Sequence, residues 1–128
     1  MYDLVAGFSL PKGSAPIDQD ILDATRATEA QWAKKWISGN GTKFIKVTTN
    51  DWNNASSTTY LFNLYKANKD KMTADITFDQ GDVILAKSTQ AVDFNLYLIQ
   101  ITKMTDLPAV GNNNDFVQFS TKGINYPK

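Results

Sequence analysis

Residues 92–103 are the longest apolar run of the chain, and they are apolar on both sides of a period-two repeat. Val92, Phe94, Leu96 and Leu98 lie on one side, Tyr97, Ile99 and Ile101 on the other. Such a run reads as a central strand that needs a covering layer on each face. The rest of the chain has to supply its neighbours and its covers.

Period-two patterning recurs on both sides of that run. Residues 43–49 (Phe44, Ile45, Val47), 59–66 (Tyr60, Phe62, Leu64), 73–79 (Ala74, Ile76, Phe78), 82–87 and 115–120 read as strands. Residues 2–10 read as a further strand, ended by a loop that Pro11 and Pro16 bound. Asp79-Gln80-Gly81-Asp82 reads as a four-residue hairpin loop, because a two-residue turn would set two carboxylates opposite each other. Residues 50–57 read as a polar loop carrying Trp52, residues 105–115 as a long surface loop, and residues 121–128 as a loose tail.

One segment follows a different period. Residues 17–38 contain no Gly or Pro, and Ile17, Ile21, Ala24, Thr28, Trp32 and Trp36 recur at three- and four-residue steps. Asp18, Asp20 and Asp23 stand at the start of this segment, Lys34 and Lys35 at its end, and Gly39-Asn40-Gly41 follows, in the sense that a helix dipole and C-cap prefer. The expected fold is therefore α+β: a mainly antiparallel sheet or small β-sandwich of six to seven strands, with one long amphipathic helix over residues 17–38 packed on it. At 128 residues the chain is expected to form a single domain, residues 1–128.

The composition removes most routes to chemistry. The chain has no histidine and no cysteine, one arginine (Arg26) and one glutamate (Glu29). A histidine base, a cysteine nucleophile and a zinc site of nitrogen and sulfur ligands are excluded. Thirteen basic residues balance thirteen acidic ones, and the basic side is almost entirely lysine. Neither nucleic acid nor an anionic membrane is favoured as a partner. Gly39-Asn40-Gly41 follows the expected helix, whereas a phosphate loop precedes one. The aspartates fall mostly at caps and turns, where they are favoured for local reasons, with Asp75 and Asp93 inside expected strands. A calcium site at Asp75, Asp79 and Asp82 lacks the dense oxygen spacing of known loops. The N-terminus has no signal-peptide pattern, so the expected location is cytoplasmic or virion-associated. Two sequons, at Asn40 and Asn54, are no more than chance supplies in so asparagine-rich a chain.

Binding has more candidates than catalysis. Trp52 stands in a polar stretch with Tyr60 and Tyr65 near it in sequence, a set that suits carbohydrate or another neutral ligand. Trp32 and Trp36, by contrast, read as core anchors. Lys43 and Lys46 around Phe44, and Lys66, Lys69 and Lys71 after Tyr65, read as solvated strand ends. Tyr2, Leu4, Val5, Phe8 and Leu10 form a strand that reads first as the edge of its own sheet and second as an arm adding to the sheet of a neighbouring copy. The leading expectation is a non-enzymatic structural or interaction module, with self or other protein subunits as partners, for example in a virion or surface assembly. A small carbohydrate-binding protein is the alternative, and a carboxylate-dependent hydrolase the third reading. No catalytic residue, metal or cofactor is expected.

Overall fold

The computed structural model describes residues 2–4, 8–9, 19–23, 34–89, 95–105 and 116–125. Within them the chain is mainly antiparallel β-sheet with short helices. The largest sheet has four strands in the order β5 (Lys43–Val47), β7 (Val83–Ser88), β8 (Asn95–Thr105) and β9 (Phe116–Asn125). A second sheet joins β3 (Leu22–Asp23), β4 (Lys35–Ile37) and β6 (Ile76–Thr77). A two-stranded ribbon pairs β1 (Tyr2–Asp3) with β2 (Phe8–Ser9).

β8 is the inner strand that its double apolar pattern demands, paired with β7 on one side and β9 on the other. Its alternate side chains enter two separate cores. Tyr97, Ile99 and Ile101 join Ile84, Ala86, Phe44, Trp36 and Phe78 between the two sheets, while Leu96 and Leu98 join Val83, Leu85, Leu61 and Met72 beneath the helices. A bulge interrupts the β8–β9 ladder between Ile101 and Lys103, and the Thr102 hydroxyl donates to the Gln118 carbonyl there at 3.1 Å. Tyr97 lies so close over Gly123 that a Cβ at that position would stand 2.3 Å from the ring. A glycine in mid-strand is explained by that approach.

The expected long helix over residues 17–38 is replaced, where the structure describes it, by strands β3 and β4. Lys34 has φ of 50°, a left-handed conformation that no right-handed helix passes through. Trp36 then pairs with Asp23 and Ile76 and is 2% exposed, its ring centre 4.5 Å from that of a tilted Phe78 and 5.6 Å from that of an edge-on Phe119. Burial between sheets outweighs a helical stripe whose other members, Ala24, Thr28 and Trp32, lie outside the described residues.

The helices stand where a loop and a strand were expected. α1 (Thr49–Asn54) is opened by a capping box, with Thr48 and Asp51 each accepting from the other's backbone N–H. α2 (Thr58–Asn68) is opened by Ser57, whose hydroxyl accepts from the Tyr60 N–H at 3.2 Å, and the Asn68 amide covers the Leu64 carbonyl near its end. In Tyr60, Leu61, Phe62, Leu64 and Tyr65 the apolar residues satisfy both periods, and the cap decides for the helix. A 3-10 turn, Lys69–Lys71, follows. Among the described residues no helix is long and apolar enough to cross a membrane.

Two further expectations are corrected. Asp79 to Asp82 is a tight turn, closed by Asp82 N–H to the Asp79 carbonyl at 3.1 Å with Gly81 at φ of 91°. Its two strands, however, leave for different sheets, so it joins the sheets and is no hairpin. The tail expected at residues 121–128 is part of β9 as far as Asn125.

Candidate functional site

The three candidate ligand aromatics are gathered on one side of the four-stranded sheet, all half-buried against the helix-side core. Trp52 is in α1, Tyr60 and Tyr65 are in α2. The Tyr60 hydroxyl donates to Asp51 Oδ1 at 2.7 Å, which joins the two helices. Desolvation raises the Asp51 carboxyl, yet the Thr48 N–H, the Tyr60 hydroxyl and the Thr48 hydroxyl outweigh it and hold the group below its ordinary value. The same bond, with desolvation and the nearby charge, pushes the Tyr60 hydroxyl up.

Trp52 is also latched to β9. The Lys122 ammonium lies 4.6 Å from the centre of its ring and donates to its backbone carbonyl. One ring face is therefore occupied by a side chain of the same protein. Beside this latch is a cleft of about 240 Å³, lined by Ala55, Ser56, Ser57, Thr58, Leu61, Lys122 and Gly123. Its walls offer hydroxyls and one ammonium but no carboxylate, so the paired-carboxylate chemistry of the hydrolase reading has no acid there.

Among the described residues, the carboxyl group with the densest set of partners is elsewhere. Asp20 is fully buried, and its Oδ2 accepts from the Leu4 N–H at 2.7 Å. Its Oδ1 accepts from Ser88 Oγ at 2.6 Å and Asn40 Nδ2 at 2.8 Å. The Thr42 hydroxyl lies 3.0 Å from that same oxygen and 2.7 Å from Asn40 Oδ1. Ser38 completes the knot, accepting from the Asn40 and Thr42 N–H groups. Every polar atom named here has a partner inside the protein, an arrangement that fixes structure and leaves no group for a substrate. It also turns the Asn40 amide of the first sequon inward. Sequence reasoning placed Asp20 at a helix start; nothing local distinguishes a turn aspartate from one whose partners lie far along the chain.

The remaining candidates are spread over the surface. Asp75 pairs with Lys35 at 3.1 Å and Asp82 with Lys46 at 3.4 Å, both solvated. Among the described residues no three acidic, His or Cys side chains are grouped to hold a metal ion. Lys66 stands 5.3 Å over the Phe62 ring, and Lys43, Lys69 and Lys71 are exposed. Asp93 lies outside the described residues. In the N-terminal group, Tyr2–Asp3 pairs with Phe8–Ser9, and the Tyr2 N–H and carbonyl bond Ile21 of the same chain at 2.9 and 3.1 Å. Leu4 is buried in the core between the sheets. The expected single strand over residues 2–10 is thus a ribbon folded on its own chain, with Val5 and Leu10 outside the described residues.

The two outer strands of the large sheet differ sharply. On β5 the outward N–H and carbonyl of Phe44 are both taken by Thr73, at 2.8 and 2.9 Å, and Lys43 and Lys46 stand exposed along it. On β9 the outward groups follow from register. Ile101 spends its N–H on the Asp82 carbonyl and its carbonyl on the Gly81 N–H, both 2.9 Å, so its peptide groups face away from β9. Peptide direction alternates along an antiparallel ladder, and Phe119 stands opposite Ile101. Phe119 therefore presents its N–H and carbonyl outward, and Val117, Thr121, Gly123 and Asn125 do the same. Among the described residues β9 has a strand neighbour on one side only. Compared with protein-family models, curated proteins and solved structures, the chain matches none.

Proposed function

We propose that this protein is a non-enzymatic interaction module that self-associates, as a structural component of a larger assembly such as a virus particle or a surface array. The observation that carries this reading is the ten-residue β9, whose outer edge no described strand covers. It has no proline and no charge except Lys122, which is held by Trp52. Those are the devices by which a sheet normally discourages edge pairing, and β5 of the same sheet does carry exposed lysines and a bridge to Thr73. The balanced charge of the chain adds little repulsion between copies. Multi-angle light scattering over a hundredfold range of protein concentration tests the reading. The expected result is a mass that rises above that of one chain, 14.2 kDa, as concentration rises. A constant single-chain mass throughout would refute it.

A further inference from the structure

We infer that two copies of this chain join through β9 in antiparallel pairing about a twofold axis at Thr121, making one continuous eight-stranded sheet from two of four. This rests on the self-association reading and specifies its contact.

The geometry fixes the register closely. Val117, Phe119, Thr121, Gly123 and Asn125 carry the outward N–H and carbonyl groups, so a partner has to set outward residues against outward residues. A twofold axis requires that the pairing be self-complementary. Centred on Thr121, it sets Phe119 against Gly123 and Val117 against Asn125 of the second copy, and every outward group of the five gains a partner. A shift by one residue along the strand sets outward groups against inward ones and loses the ladder. Lys122 falls opposite Ser120 of the second copy, so like charges do not meet. Phe119, whose ring already packs on Trp36 and Tyr2 of its own chain, stands opposite Gly123 of the second copy, which adds no side chain to the pair. A strand of another protein would need the same spacing of groups but not this symmetry; the chain's own β9 meets both conditions.

Proline and cysteine variants test this in the full chain. In Thr121→Pro the lost N–H is an outward one, so the ladder with β8 stays whole and the fold is retained, as circular dichroism would report. Self-association is expected to weaken about tenfold or more, because each copy loses a bond and gains a ring at the axis. Cysteine is absent from the sequence, so a single introduced thiol can be oxidised only with its counterpart in another copy. In Thr121→Cys the two Cα atoms would stand about 5.5 Å apart, within disulfide range. In Gln118→Cys they would be about 20 Å apart. Rapid disulfide dimerisation of the first and none of the second is the expected pattern. Unchanged association in a folded Thr121→Pro, or equal cross-linking of the two cysteine variants, overturns the β9 pairing and leaves self-association standing. A monomeric unsubstituted chain at every concentration overturns both.

Discussion

Asp20 gathers several donors, and its two oxygens are not equivalent. Oδ1 faces the Ser88, Asn40 and Thr42 side chains, and Oδ2 accepts from the Leu4 N–H. An amide has one accepting oxygen. In Asp20→Asn that oxygen is best used toward the three side chains, and the new NH2 then confronts the Leu4 N–H, donor against donor. We expect a loss of about 2 kcal/mol in urea unfolding, from a buried donor left unpaired. Amide exchange at Leu4 should accelerate well beyond that at β8 residues. Equal acceleration at both would mean that the substitution loosens the whole protein and not the local tie.

Among the elements, α1 depends most on its first turn. It has six residues and none is buried, so little but the capping box and the ties of Asp51 and Trp52 holds it. Thr48→Ala removes the N-cap and is expected to cost about 1 kcal/mol in chemical denaturation. Because the folded protein holds the Asp51 carboxyl below its ordinary value, the box contributes fully above the unfolded carboxyl range and is lost as pH falls through the folded value. The deficit of Asp51→Asn relative to the unsubstituted chain should therefore shrink in acid; a deficit constant with pH would contradict the ionised box. The elements also show what the sequence discloses. β5, β7 and the central place of β8 are readable because alternation is local and the two-faced run of residues 96–101 has no other use. α2 is not, since Tyr60 to Tyr65 fits either period and the deciding atom is the Ser57 hydroxyl. β4 is hidden for a different reason: the burial of Trp36 depends on Ile76 and Phe119, which no window around residue 36 contains.

At the scale of the whole molecule, the two cores formed by the described residues share the four-stranded sheet, to which β8 contributes alternate side chains. The open edge could not be read from residues, because which strand ends a sheet is a property of topology. The knot at Asp20 could not either, since the partners of that carboxyl come from three other stretches of chain. That knot has a kinetic consequence. β7, β8 and β9 follow one another along the chain and pair in sequence order, contacts that close early in folding. The Asp20–Ser88 bond spans 68 positions and brings the N-terminal segment back across that sheet, a closure with a larger entropic cost. Asp20→Ala should therefore leave the refolding rate nearly unchanged and speed unfolding, as stopped-flow chevrons would resolve. The buried carboxyl sets how long the protein stays folded, and has little to do with how fast it gets there.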